Sequence, residues 1–404
     1  MIEKYLWIIG GAELQVPLIK EAHKLGLKTI VSDLNPKCVS RELCDVFVHL
    51  DIFDAQANIE YAKKSDLNIV GVLAAGIDVP ETMAAMNEAL GLKGVSLKTA
   101  LLVKNKDLFR LKLQELNYPM PQFLIIDDTT IETLHETLAT MPYPLIVKPT
   151  NNCGSRDMKI FYENSPQLKE FIKNKFTKYG LLLVEELWIG EEQTVECLID
   201  IDSTFHNGFI TDRNFTFKNG YPIETGLVHP SQLDTLKQQE LFNLAKTVAQ
   251  DLCIEVGALK LDTIYTKNGP RIIELTVRHS GGFDCQYLVP FSTGKNILKA
   301  AILTATSEKF SPSLLKDTLH KFGVTGSIWP KSGKITSISG VDEARKIEGV
   351  EKIIILKKEG DEIREYIDCA ARVVYIICSG QSLEKAKESL QKAQNLIEIE
   401  TSHE

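Results

Sequence analysis

The chain reads as an α/β protein that passes into α+β: a parallel-sheet domain first, a longer mixed region next, and a small α+β domain at the end. Three observations predict this. Residues 1–100 alternate short apolar strands with amphipathic helices, the pattern of a parallel sheet covered on both faces. The middle of the chain carries a β-hairpin signal, two β-branched runs around Lys267-Asn268-Gly269. From about residue 311 a separate segment runs strand, polar turn, two further strands and a closing helix.

Taken in order, Leu6–Ile9 is the first expected strand, followed by Gly10-Gly11 and a helix over Leu14–Leu25. Lys28–Ser32 follows, ending at Asp33, and then come Val46–Leu50, Ile69–Leu73 and the helix Val79–Leu90. Two glycines at a strand-to-helix turn suit a ligand near a helix N-terminus, but the GxGxxG spacing is absent, so a tight turn is the better reading. A single helix carrying Lys104, Lys106 and Arg110 leads into Tyr118-Pro119-Met120-Pro121, then strand, helix, and the strand Leu145–Lys148. A polar loop, 149–156, precedes the helix Ser165–Lys178 and the apolar strand Leu181–Val184. Gln193–Asp200 and Thr204–Phe209 are further strands; the stretch 212–231 shows no clear periodicity. Gly323–Trp329, Glu351–Leu356 and Arg372–Ile377 are the expected strands of the tail, with a helix from Ser382.

Composition narrows the class. Charged residues at 25% and hydrophobic residues at 44% suit a soluble globular protein of two to four domains. A net charge of −8 without a basic patch argues against nucleic acid as a partner. No apolar run is long enough to span a bilayer, and MIEKYLWIIGG enters a strand at once, unlike a signal peptide. The eight cysteines are dispersed with no CxxC pair, which suits reduced thiols in a cytoplasm.

The hairpin carries the most chemistry. If Lys267-Asn268-Gly269 is the loop, Thr266 faces Pro270 and, counting back, Asp262 faces Glu274. Like charges directly opposed across a pair are unfavourable, and a divalent cation is the economical relief. Alternation places Thr276 and Arg278 after Glu274 on the same face. Lys106 and Lys148, the latter at the end of an apolar strand, suit phosphate oxygens. The loop after Lys148, with Gly154 and Ser155, can fold backbone N–H groups over phosphates. The hinge after the buried strand, 185–192, can offer backbone groups to a purine edge and a carboxylate to ribose hydroxyls.

Asn105-Lys106, Arg110, YPMP, PLIVKP, the Gly-Ser loop, LLLVEELWIGEE, LKLDTI and IIELTVRHSGG, in that order, resemble the ATP-grasp superfamily across nearly the whole chain. The resemblance implies a pre-ATP-grasp domain at 1–105, a two-lobed ATP-grasp domain at 106–310 with a lid at about 115–185, and a C-terminal domain at 311–404, similar to those of biotin carboxylase and L-amino-acid ligase relatives. By position it implies that Lys106 and Lys148 hold ATP phosphates, beneath a mobile loop at Gly154-Ser155. Glu185 and the backbone of Glu186 and Trp188 would meet adenine, and Glu192 the ribose. Asp262 and Glu274 would be Mg²⁺ ligands, Mn²⁺ being the alternative ion, with Glu274 bridging two ions. Arg278 would neutralise the acyl phosphate or the substrate carboxylate. Two positions depart from the pattern: Thr276 stands where Asn is common, which weakens the hold on a second ion, and Asp157 where the loop usually has Gly.

The expected reaction is ATP + carboxylate + amine → amide + ADP + phosphate, through an acyl phosphate, with no nucleophilic side chain required. Acceptor-site candidates are Arg213, Lys218, Glu224, Thr225, His229, Arg278 and Ser280, with Glu224 placed for a substrate ammonium. The run ETGLVHPS is similar to L-amino-acid (dipeptide) ligases, which implies an amino-acid substrate. The alternatives are a purine-pathway ligase similar to phosphoribosylglycinamide synthetase or a carboxyaminoimidazole-type ligase, and, in another class, a catalytically inert ATP-binding regulator. Relatives imply a homodimer.

Overall fold

A computed structural model describes residues 2–152, 154–365 and 371–402. The first hundred residues build a four-stranded parallel sheet, in the order Val46–Val48, Lys28–Ser32, Tyr5–Ile9, Ile69–Leu73. Its strands are apolar on both faces because helices Val16–Lys24, Ala55–Lys64 and Pro80–Ala89 join them. Ala55–Lys64 was not anticipated; its apolar face is short, and Asp54 caps it through Ala57 N. Trp7 is fully buried, and its indole N–H donates to Ser32 Oγ at 3.1 Å. The Gly10-Gly11 turn is tight and internally satisfied: Asp33 accepts from Gly11 N at 2.7 Å, and a Cβ on Gly11 would meet Cys38 Sγ at 2.5 Å.

The largest sheet has eight antiparallel strands, in the order Gly269–Thr276, Gly257–Thr266, Glu191–Ile199, Phe205–Lys218, Tyr221–His229, Phe322–Ile328, Val374–Gly380, Val350–Ile355. The strands of the tail therefore continue the central sheet through the pairing of Val228 with Val324. Phe205–Lys218 and Tyr221–His229 form a long hairpin across the stretch that lacked periodicity. The cause is a bulge at Thr225, where Asn214 pairs with Gly226 but Phe215 with Glu224. One extra residue shifts the alternation by one, so the two halves of the strand show opposite phases.

A separate four-stranded antiparallel sheet, in the order Phe123–Ile126, Leu182–Glu186, Leu145–Pro149, Lys159–Phe161, packs helix Pro166–Tyr179 against its own small core. Ser165 caps that helix through Leu168 N, and Gly180 closes it at φ +69. The expected single helix around Lys106 is two, Leu97–Lys104 and Lys106–Glu115, broken where Asn105 turns extended. The break makes Lys106 the first residue of the second helix, with its N–H on Thr150 O at 2.9 Å. A three-stranded sheet, Glu362–Ile363, Gly333–Ser339, Glu398–Ser402, and helix Leu383–Leu396 complete the tail. Among the described residues no helix is long and apolar enough to cross a membrane. Six cysteines are free thiols; Cys153 and Cys369 lie outside the described residues.

Candidate active site

A cleft of about 630 Å³ runs between the small four-stranded sheet and the central sheet. Most of the expected site residues line it: Lys106, Lys148, Gly154, Ser155, Glu185, Glu186, Trp188, Glu192, Glu224, Asp262, Glu274 and Arg278. Thr276 and His229 do not.

The hairpin that orders the carboxylates reaches the expected pairing by a different route. Thr266 pairs with Gly269, not Pro270, and Gly269 takes φ +90. From that start, regular pairing would set Asp262 opposite Ile273. A bulge with Ile273 as the extra residue restores Asp262 opposite Glu274. Arg110 pins the bulge, donating to Ile272 O at 3.0 Å and Ile273 O at 2.8 Å.

The repulsion expected between Asp262 and Glu274 is relieved by the protein's own cations, and so does not by itself demand a metal. Lys260 Nζ lies 2.6 Å from both Asp262 oxygens, Arg213 at 3.2 Å, and the Thr194 hydroxyl donates at 2.8 Å. Burial raises the Asp262 carboxyl, but Arg213 and Lys260 outweigh it and hold it well below the usual range. Glu274 is more lightly held, by Lys106 Nζ at 3.3 Å, and its carboxyl is likewise lowered against burial by Lys106. The donor chemistry fits a magnesium ion, with hard carboxylate oxygens facing the cleft. On the same strand the Thr276 hydroxyl is buried with no hydrogen-bond partner among the described residues.

Lys148 and Glu185 are buried together at the cleft floor. Glu185 accepts from Arg110 Nε on one oxygen and from Lys148 Nζ on the other. Burial would raise the Glu185 carboxyl, yet Arg110 and Lys148 hold it at about 2. A buried carboxylate with two cations is satisfied, whereas with neither it would be severely penalised. The side chain of Glu185 is thus committed to this ion pair, so the expected adenine contact would fall to the backbone beyond it. There, Glu186 N–H is taken by Gln122 O and Leu187 N–H by Pro144 O, while Trp188 N–H has no partner among the described residues.

In the loop, Gly154, Ser155 and Asp157 all adopt positive φ, at +67, +59 and +58. Asp157 points away from the cleft, onto helix Pro166–Tyr179, where Lys175, Lys178 and Tyr179 bind it. These donors lower its carboxyl against the effect of burial. Its charge therefore anchors the loop and does not oppose a bound anion.

At the other end of the cleft Glu224 is clamped by two guanidiniums, Arg213 at 3.0 Å and Arg372 at 3.1 Å. Both oxygens of the carboxylate expected to meet a substrate ammonium are thus already engaged by the protein's own cations. His229 lies off the cleft lining. It sits at the last strand position with Nδ1 2.9 Å from Ile210 O and its ring edge-on to Phe209, and burial lowers its pKa to about 4. Arg278 faces the cleft with Asp78 at 3.7 Å. Asp284 lines this end with one carboxylate oxygen unpartnered among the described residues, its pKa pushed well up by burial and by Glu196 and Glu224. Lys260, Arg372, Asp78 and Asp284 escaped the sequence reading. Strand alternation around Asp262 would have found Lys260; Arg372 follows a segment far along the chain and has no local signal.

Residues 103–282 match a model of the ATP-grasp domain. That segment is an ATP-grasp domain. Residues 328–402 match L-amino acid ligase C-terminal domain 2, and with both domains in one chain this is an ATP-dependent carboxylate–amine ligase. Solved structures share the fold of the ATP-grasp ligase along its full length. L-amino acid ligase from Bacillus licheniformis is 21% identical over 100% of both chains with TM-score 0.84. Phosphoribosylglycinamide synthetase from Anaerococcus prevotii is 22% identical over 99% of this chain and 100% of its own, TM-score 0.76. The biotin carboxylase domain dimer of Hydrogenobacter thermophilus 2-oxoglutarate carboxylase, in complex with MgADP and bicarbonate, is 17% identical over 99% of this chain and 91% of its own, TM-score 0.75.

Proposed function

We propose that this ligase activates a carboxylate as its acyl phosphate with ATP and Mg²⁺, Mn²⁺ serving as substitute, and passes the acyl group to an amine, with an amino acid among the substrates. The observation that carries the reading is the opposed pair Asp262–Glu274 facing one cleft with Lys106 and Lys148. The match to an L-amino acid ligase C-terminal domain supports the amino acid.

Bound magnesium would supply positive charge where charge builds on the transferring phosphoryl group. Glu274 and Asp262 are the residues that would hold it. Lys106 and Lys148 draw the phosphates down, Ser155 and Gly154 close over them, Trp188 N–H meets the adenine edge, and Glu192 the ribose. Two anions, γ-phosphate and substrate carboxylate, must approach each other, and Arg278 offsets their repulsion with a planar, two-pronged donor. A closed loop excludes water while the acyl phosphate awaits the amine. Asp78 and Asp284 are the cleft carboxylates left for a substrate ammonium. We further propose the division at 105 and 310, a homodimer like the domain dimer above, and a cytoplasmic setting consistent with free thiols.

The test is ADP release with a panel of amino acids, hydroxylamine being added to trap acyl phosphate. A hydroxamate formed from one carboxylate names the donor. ATP binding without turnover on any panel would favour the inert nucleotide-binding protein instead.

A further inference from the structure

We propose that Lys260 serves as the second cation of this site, so that the ligase works with one divalent ion where Glu274 would otherwise bridge two. The inference rests on the nucleotide reading above. Lys260 is the direct cross-strand partner of Thr276, so both side chains leave the hairpin at the same level and on the face that carries Asp262 and Glu274. Its ammonium reaches both oxygens of Asp262 at 2.6 Å, a contact that an ion at this edge of the site must displace or share. Thr276, the residue placed to help hold a second ion, has a buried hydroxyl that no group among the described residues uses. A neutral hydroxyl beside an ammonium is a poor cation ligand, whereas the ammonium already provides the charge. Among the described residues Glu274 has only the longer contact to Lys106, and it stays open to one ion. A lysine also carries its charge on a flexible stem, so it can turn from Asp262 to phosphate oxygens when nucleotide arrives.

The experiment counts ions without turnover. The full chain is titrated with Mn²⁺ in the presence of a non-hydrolysable ATP analogue, and free Mn²⁺ is read by electron paramagnetic resonance. The wild type should hold about one ion per bound nucleotide, and Lys260→Ala about two. Thr276→Asn, which improves the second ligand but keeps the lysine, should still hold about one. Two ions on the wild type or on Thr276→Asn, or a single ion on Lys260→Ala, would overturn the proposal. If the analogue fails to bind the wild type at all, the nucleotide reading itself falls and this proposal with it.

Discussion

On the floor of the cleft, Lys148, Glu185 and Arg110 come from a strand, its neighbour and the helix that follows Asn105, and each satisfies the next. At the far end, Glu224, Arg213, Arg372, Arg278 and Asp284 come from four stretches of chain, and one carboxylate oxygen there has no partner among the described residues. The first region is closed before any ligand arrives; the second keeps unbalanced groups for one. On the proposed reading, binding of nucleotide draws on a rigid floor, while substrate choice lies with groups whose partners can still change.

Glu274→Gln should give the largest effect. It removes a charge on which phosphoryl transfer depends, so kcat should fall about a thousand-fold, equivalent to about 4 kcal/mol. Nucleotide affinity, measured by calorimetry, should change far less; equal losses would erase the distinction between holding nucleotide and reacting it. Arg110→Met tests the rigid floor. It unpins the bulge and leaves Glu185 with Lys148 alone, and should cost about 3–5 kcal/mol of folding stability by denaturant titration. A variant as stable as the wild type would show that the floor is not the structural half of the pair.

The third test concerns pH. His229 stays neutral in the folded chain down to about pH 4, because burial outweighs the bond to Ile210 O, while in the unfolded chain it protonates near 6.5. The unfolded state thus binds the extra proton, and stability drops as pH falls from about 6.5 to about 4, by on the order of 3 kcal/mol. His229→Gln should flatten that part of the stability profile. An unchanged slope would move His229 out of its buried role and back toward the acceptor set. Arg372→Ala should raise KM for the acceptor about tenfold with KM for ATP unaltered, since its contacts lie at the far end. The smallest change is expected from Asp157→Asn, which loosens the loop from Lys175 and Lys178 and should raise KM for ATP a few-fold.

The two regions also differ in how far the chain's letters reveal them. Lys148 announces itself by ending an apolar strand before a polar loop. The Asp262–Glu274 pairing came out right because two departures cancel: the turn is one residue tighter than counted, and Ile273 bulges by one. Neither departure leaves a mark in residue type, since Arg110, which holds the bulge, is distant in sequence. The long hairpin escaped because its bulge at Thr225 reverses the polar–apolar phase midway. Arg372 reaches Glu224 only because the tail extends the central sheet, a consequence of topology and not of local pattern. By residue type alone Asp157 is a carboxylate in the loop after Lys148; the lysines that turn it away lie on the next helix.

The central claim is that the cleft transfers phosphate to a carboxylate before the amine attacks. It is tested most directly by supplying the substrate acid labelled with ¹⁸O in its carboxylate and analysing the released phosphate by mass spectrometry. Acyl phosphate formation predicts one labelled oxygen per phosphate. Phosphate free of label, with amide still formed, would contradict it.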